Sequence, residues 1–451
     1  MSKLSSFSES ITALATPPGK GAVGVVKVSG SNIQTLIRGI LGFQPDPRSA
    51  YKCTFIDCDN SVIDSGIAIY FPAPHSYTGE HILELQGHGG IVVMDMLLKR
   101  LCHLGARMAR PGEFTERAFL NNKIDLTQAE AIADLIESDT ETAARCAQRS
   151  MQGEFSKRIN SLKEILVDVR MYIEASIDFV DEDIDFLSSG NIDNRLQKLR
   201  TTIALLKKTT QKGCLLRNGM SVVIAGRPNA GKSSLLNFLA GKDAAIVTEW
   251  EGTTRDVLRE TIQIDGMPLH IIDTAGLRQT ENPIEKEGIK RAYNEIENAD
   301  QLLYIVDSAV PNDDSKLLTS FPNSIKVTKI INKIDLTGIE PKCVNTSGYT
   351  EIFMSIKYDK GTDLLLEHLK QIVGLDQNTE AVFTARRRHL DALDETENYI
   401  LSAINALEQH HQCEFLAEDL RLAQNMLSKI TGEFTSDDLL GEIFSGFCIG
   451  K

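Results

Sequence analysis

The sequence predicts a multidomain chain of α/β and all-α parts: a small N-terminal α/β domain, a helical domain split in two, and a doubly wound α/β domain inserted between its halves. Three observations predict it. Short β-rich runs with turns fill the first ~120 residues. From Leu126 the apolar spacing becomes helical, and helical spacing resumes from Ala385. Between these stretches, apolar runs end in glycine-rich or polar loops, as parallel strands feeding helices do. At 451 residues, a prior of roughly 150 per domain suggests about three domains with ample core. The boundaries read as 1–120, 121–215, 216–375 and 376–451. An insertion of this kind requires termini that lie close together, which doubly wound domains often provide.

In the first domain, Gly24–Val28, Ile67–Phe71 and Ile82–Leu85 read as strands, and a helix over Val92–Leu101 follows the glycine cluster Gly87-His-Gly-Gly90. Gly19 to Gly24 reads as a Pro-Pro-Gly turn into a strand rather than an anion cradle. His75, His81, His88 and His103 lack the i, i+4 regularity of helical metal ligands. The helical stretches place apolar residues at Ala129, Ile132, Ala133, Leu135 and Ile136, then at Leu162, Ile165, Leu166, Val169 and Ile173, and again over Ile192–Leu206, Ala385–Leu407 and Leu416–Ile430. The acidic run Asp178–Asp185 and the basic run Arg386–Arg388 read as solvated helix ends.

The inserted segment carries the chemistry. Gly226-Arg-Pro-Asn-Ala-Gly-Lys-Ser233 follows the apolar run Val222–Ala225 and precedes the helix-forming Ser234–Leu239, which is the setting a phosphate-binding loop requires. Its glycines let successive N–H groups point at a phosphate, Lys232 reaches the outer phosphates, and Ser233 can hold Mg²⁺ at the helix N-terminus. Asp273-Thr274-Ala275-Gly276 ends the run Leu269–Ile272, so Asp273 stands at a strand tip within reach of the Mg²⁺ shell. Asn332-Lys333-Ile334-Asp335 ends Val327–Ile331, and an Asp there accepts two hydrogen bonds from the guanine edge that adenine cannot offer. The nucleotide is therefore GTP. Gly252-Thr253-Thr254-Arg255-Asp256 lies where a switch presents a Thr hydroxyl to the metal and γ-phosphate, and Ser355-Ile356-Lys357 takes the fifth expected place. Asn229, Ala230, Gly231 and Ser234 complete the predicted nucleotide contacts.

The residue after Asp273-x-x-Gly is Leu277, where Ras-type GTPases place a water-orienting Gln. An apolar group cannot polarise water. The water-positioner and charge stabiliser must come from elsewhere, and Glu281, Glu285 and Glu287 follow closely.

A formal charge of −14 argues against broad electrostatic binding to nucleic acid, so contact with RNA should be focal or delegated. Eight cysteines without a Cys-x-x-Cys pair give neither zinc spacing nor a disulfide framework. No 18-residue apolar run and no charged-then-apolar leader appear, which predicts a cytoplasmic, soluble chain. At the end, Cys448-Ile-Gly-Lys451 superficially has the form of a prenylation signal, but Gly450 and Lys451 do not suit one. Cys448 reads either as a bystander or, since Gly450 gives this end the freedom to enter a pocket, as a thiol delivered there together with an ammonium and a carboxylate.

Over its full length the chain resembles the MnmE family of tRNA modification GTPases. The marks are Ala15-Thr-Pro-Pro-Gly19, Leu83-Glu-Leu-Gln-Gly-His-Gly-Gly90, Ala109-Arg-Pro-Gly-Glu-Phe-Thr-Glu-Arg117, the GTPase set, Thr431-Gly-Glu-Phe-Thr-Ser-Asp-Asp438 and the Cys-x-Gly-Lys end. The resemblance implies an N-terminal domain that binds 5-formyltetrahydrofolate or a related folate and makes the protein a homodimer. It implies a heterotetramer with the flavoprotein MnmG, to which FAD and NADH belong. It also implies installation of a carboxymethylaminomethyl or aminomethyl group at C5 of the wobble uridine of certain tRNAs.

By motif match Lys27, Glu84, Lys123 and Lys451 contact the folate, with Lys27 standing where the family has Arg. The resemblance also implies that K⁺ is held by Asn229, Thr248, Trp250 and Thr253 and supplies the charge an arginine finger gives elsewhere, and that Ser233 and Thr254 ligate Mg²⁺. Glu285 matches the family's water-positioning Glu and joins Lys232 and Cys448 as the catalytic set. The alternative is a GTP-dependent RNA-binding or ribosome-assembly switch. The chain shows neither a Gly-x-x-Gly clamp in a KH-like setting nor a basic stripe after the GTPase segment, which favours the modification enzyme.

Overall fold

The computed structural model describes residues 9–178, 192–242, 259–264, 267–273, 299–310, 325–346, 348–373, 382–410, 413–433, 437–447 and 450. The chain forms two compact units, one of Met1–Ala133, Ser150–Leu199 and Glu395–Lys451, the other of Asp134–Arg149 and Arg200–Asp394.

The first unit holds a six-stranded sheet of β1 (Ile11–Leu14), β2 (Gly24–Gly30), β3 (Tyr51–Ile56), β4 (Val62–Phe71), β5 (His81–Gly87) and β6 (Arg107–Met108), in the order β3-β4-β5-β2-β1-β6. Every neighbouring pair is antiparallel except β1 and β6. Side chains alternate across a strand. Val26 and Val28 of β2 therefore face the core with α1 (Gln34–Leu41) and α2 (Ile91–His103), which bring Leu36, Ile37, Ile40, Leu97 and Leu101. The opposite face takes α3 (Glu113–Leu120), whose Phe114 packs on Ile11 and Ala13. The sequence reading found β2, the second half of β4, β5 and α2. It missed β1, β3, β6, α1 and α3, none longer than eight residues, because so short a segment shows barely two turns of helical period or two strand alternations.

The predicted helices follow. They are α4 (Leu126–Ile136), α6 (Glu154–Asp178) and α7 (Ile192–Asn218); α5 (Glu141–Met151), between α4 and α6, is not among the sequence expectations.

The second unit holds a seven-stranded sheet. Its elements are β7 (Met220–Gly226), α8 (Lys232–Lys242), β8 (Arg259–Ile264), β9 (Met267–Asp273), β10 (Gln301–Asp307), β11 (Lys326–Asn332), a 3₁₀ turn (Ile334–Leu336), β12 (Lys342–Asn345), β13 (Thr350–Phe353) and α9 (Thr362–Val373). The order is β12-β13-β11-β10-β7-β9-β8; the five central strands are parallel and the two edge strands antiparallel. Apolar strands such as Leu302–Val306, buried on both faces, are what a covered parallel sheet demands. After β7 the strand order reverses. That switch point is where open α/β sheets bind ligands, beyond the carboxyl ends of the strands.

In this unit the chain passes into and out of the sheet at one place. Asp134 Oδ1 accepts from Arg217 Nε at 2.6 Å, just before β7, and from an Arg386 guanidinium nitrogen at 2.8 Å, after α9. A Cβ on Gly213 would stand 2.2 Å from the Phe383 carbonyl oxygen, so the two segments touch backbone to backbone. Arg386 is thus held by a buried carboxylate and not solvated, which corrects the reading of Arg386–Arg388 as a solvated helix end; Arg387 does lie exposed, paired with Asp391. The predicted helix from Ala385 begins at Arg387, because the Arg386 N–H is capped by His389 Nδ1 at 3.0 Å.

The last helices are α10 (Arg387–His410), α11 (Cys413–Thr431) and α12 (Asp437–Ser445). In α6 the residues Phe155, Ile159, Leu162, Leu166, Val169 and Ile173 recur every three or four positions and are buried, as are Leu416, Leu420, Ala423, Leu427 and Ile430 of α11. These two helices pack along the matching stripes, and Arg170 donates to Gln424 at 2.7 Å beside them. Among the described residues, no helix is long and apolar enough to cross a membrane.

Candidate nucleotide-binding site

The parallel sheet gathers three loops along one edge. β10 lies between β7 and β11, with Ile305 in register with Gly226 and Asp307 with Asn332. The phosphate loop and the Asn332–Asp335 loop, more than a hundred residues apart in sequence, therefore leave the same edge on either side of β10.

Two glycines are required by close approach. A Cβ on Gly226 would stand 2.3 Å from the Ile305 carbonyl oxygen, and one on Gly231 would stand 2.3 Å from Asn332 Nδ2. Between them Asn229 takes a left-handed φ of 63°, a conformation that Asn tolerates better than most residues. Lys232 Nζ donates to the carbonyls of Gly226 at 2.8 Å and Arg227 at 3.0 Å, which lays the ammonium over the loop. Ser233 and Ser234 are exposed in the first turn of α8, where backbone N–H groups and the helix dipole favour an anion.

Asn332 is 3% exposed and holds three loops at once. Its Nδ2 donates to the Ala230 carbonyl at 2.9 Å, and its Oδ1 accepts from the Ile356 N–H at 3.2 Å. Lys333, at a φ of 63°, donates to the Asn229 carbonyl and to Asp307 Oδ2, both at 2.7 Å. Ser355, fully buried, donates to Asp335 Oδ1 at 2.5 Å and so aims the carboxylate predicted to read guanine. Lys357 is exposed beyond it. The structure thus brings together Asn229, Ala230, Gly231, Lys232, Ser233, Asn332, Lys333, Asp335, Ser355 and Ile356. Asp273 ends β9 in register with Ile224, next to the start of the phosphate loop. Thr248, Trp250, Thr253, Thr254, Thr274, Ala275, Gly276 and Glu285 lie outside the described residues.

Sequence reading missed Asp307 and Ser308. Ser308 N–H donates to the Asn332 carbonyl at 2.9 Å and its hydroxyl to the Lys333 carbonyl at 2.8 Å. The signal was present, since Asp307 ends the apolar run Leu302–Val306 just as Asp273 ends its own.

In the first unit, Lys27 and Glu84 are directly opposite across β2 and β5, their charged atoms 3.5 Å apart on the sheet face away from α1 and α2. Lys123 instead donates to the Pro74 carbonyl at 2.9 Å, on the loop before β5. On the Lys27 face lies a buried ionic network that the sequence did not reveal. Arg117, 0% exposed, bonds Glu80 Oε2 at 2.9 Å and Glu113 Oε1 at 3.0 Å, and Glu80 accepts from Ser29 at 2.8 Å. Arg107 bonds both oxygens of Glu113, at 2.8 and 2.6 Å. Burial alone would raise the Glu113 carboxyl, but the Arg107 bonds, the Arg110 N–H and Arg117 outweigh it and hold the pKa at about 2. A cleft of about 190 Å³ between the Thr16–Gly24 loop and α2 is lined by Leu14, Met94 and Leu98, on the other side of the sheet from Lys27.

Cys448 and Lys451 lie outside the described residues, but Gly450 between them is buried. At a φ of 95°, a Cβ on it would stand 2.3 Å from the Leu14 carbonyl oxygen. Gly450 therefore lies backbone to backbone against the end of β1, whose neighbour β2 carries Lys27. Gly112, at a φ of 68°, likewise admits α12, with the Phe444 carbonyl oxygen 2.6 Å from where a Cβ would be.

This fold and this edge define a P-loop GTPase domain within a larger chain. A family model described as the MnmE helical domain matches residues 126–448, and one described as the GTP-binding protein TrmE N-terminus matches residues 10–123. The chain belongs to the MnmE family. It is similar to the tRNA modification GTPase MnmE of Pasteurella multocida, 54% identical over 98% of this chain and 100% of that one, and to that of Yersinia pestis bv. Antiqua (strain Angola), 53% identical over 99% and 100%. Among solved structures, the G domain of the T. maritima FeoB iron transporter is 25% identical, covering 34% of this chain and 96% of that one with a TM-score of 0.26.

Proposed function

We propose that this chain is a GTP hydrolase of tRNA modification that works in the cytoplasm as a homodimer, with boundaries near residues 120, 215 and 375. In this reading hydrolysis depends on K⁺, and the chain acts with MnmG and a folate one-carbon carrier on C5 of the wobble uridine. The observation that carries it is the single edge where Asn229–Ser233, Asn332–Asp335 and Ser355 converge, each held by the others.

The residues present suit the implied groups. Ser233 offers an exposed hydroxyl at a helix N-terminus and Asp273 ends the adjacent strand, a hard oxygen set of the kind Mg²⁺ takes. Asn229 would offer K⁺ its side-chain oxygen, with Thr248, Trp250 and Thr253 completing the shell. The ion would supply positive charge beside the phosphates. Lys27 and Glu84 would meet a folate as a cation and an anion side by side, with Lys123 supplied from the loop region of the same unit. The buried position of Gly450 against β1 supports bringing Cys448 and Lys451 to that domain. Glu285 would orient water, and Lys232 would neutralise phosphate charge.

The test has two arms. GTP turnover should be much faster in KCl than in NaCl at equal ionic strength, with the difference lost in Asn229→Ala; equal rates would end the potassium reading. Mass spectrometry of wobble nucleosides from a deletion strain should show the C5 modification gone, restored by the wild-type gene, and not by Glu285→Ala. Intact modification in the deletion strain would overturn the assignment.

A further inference from the structure

β10 lies between the two strands that lead into the nucleotide-binding loops, and its last residue is a carboxylate with no role in the proposed reaction. Asp307 Oδ2 accepts from Lys333 Nζ at 2.7 Å, its Oδ1 accepts from the Ala309 N–H at 3.0 Å, and the side chain is 19% exposed. The same ammonium donates to the Asn229 carbonyl at 2.7 Å. Asn229 and Lys333 are both non-glycine residues at a φ of 63°, each in a conformation that must be held by its surroundings.

We propose that Asp307 is a positioning residue of the GTP site, which anchors Lys333 so that its ammonium fixes the Asn229 backbone and joins the guanine loop to the phosphate loop. An ammonium given only a neutral carbonyl on a partly exposed surface would leave for water. A carboxylate on the other side makes the bond charge-assisted and keeps the bridge closed. Asp307 can do this because strand register fixes it: Asp307 is opposite Asn332, the residue before Lys333, and Ile305 is opposite Gly226, which opens the phosphate loop. The Lys333 bond keeps the Asp307 carboxyl below the usual carboxylate range, so the anchor stays charged across neutral pH. Asp307 touches no reacting atom. Its effect passes through Asn229, and so rests in part on the reading of Asn229 as a potassium ligand.

The experiment compares Asp307→Asn with wild type in the full-length protein. GDP affinity, measured by calorimetry without K⁺ and well below the melting transition, should fall roughly tenfold. The GTP KM and the K⁺ concentration for half-maximal rate should rise by a similar factor, about tenfold, with kcat at saturation within about twofold of wild type. Asp307→Glu, which keeps the charge on a longer stem, should recover much of the loss. GDP affinity within about twofold of wild type in Asp307→Asn would overturn the proposal, as would a fall in kcat with KM unchanged. If wild-type turnover proves equal in KCl and NaCl, the potassium reading fails while the GDP affinities still decide on Asp307.

Discussion

The two sheets place polar groups by opposite rules. In the seven-stranded sheet the functional groups follow the strands, in loops that begin where parallel strands end, so motifs distant in sequence share one edge. In the six-stranded sheet the polar groups sit within and beneath the strands: Lys27 meets Glu84 by antiparallel register, and Arg117 reaches Glu80 and Glu113 under the face. The difference teaches where tolerance lies. A loop at a parallel edge can change chemistry without entering the core, whereas the antiparallel face buries charge and must keep every partner.

The sharpest way to break this comparison is Arg117→Ala. Removing one partner of a buried ionic network leaves Glu80 and Glu113 uncompensated, and should cost about 3–5 kcal/mol in denaturant unfolding. GDP affinity at moderate temperature should stay within about twofold of wild type, because the nucleotide site lies on the other sheet. A cost under about 1 kcal/mol would mean that the network is not what holds that face.

The same network predicts acid sensitivity. The folded Glu113 pKa is depressed to about 2, so its contribution is fully present above the unfolded carboxyl value and is lost as pH falls toward 2. The loss should be on the order of 3 kcal/mol for this group and should vanish in Glu113→Gln. Unfolding curves at stepped pH values measure it.

On the parallel edge, Asn332→Ala leaves the buried Ala230 carbonyl without its donor and the Ile356 N–H without its acceptor. Stability should fall by about 1–3 kcal/mol, and GTP affinity more steeply than in any change at Lys27. If affinity holds, the three loops are joined by backbone alone.

A smaller effect concerns His368, whose Nε2 meets Thr328 at 2.8 Å, with Gln301 bonded to the same hydroxyl. Burial lowers its pKa, so the folded state prefers the neutral ring and stability should decline as pH falls below about 6.5. His368→Gln should flatten that slope. The smallest change is expected for Lys27→Arg, at most about 1 kcal/mol in stability, because the Lys27–Glu84 pair is partly exposed and solvent-screened. A larger loss would place Lys27 with Arg117 in the buried class.

The amino-acid sequence by itself determined the phosphate loop, the guanine loop and the long helices. Each is local: Gly226–Ser233 needs only its own glycines and flanking periods, and α6 and α11 display their buried stripes over about five and about four helical turns. Tertiary structure alone decided that Asp134 would clasp Arg217 and Arg386, that Arg117 would bury between Glu80 and Glu113, and that Asp307 would hold Lys333. Apart from the i, i+4 pair Glu113–Arg117 on α3, these partners have no fixed spacing in sequence. Charged residues become partners only when strand register and helix packing remove the water between them, and that desolvation belongs to the fold and to no single segment.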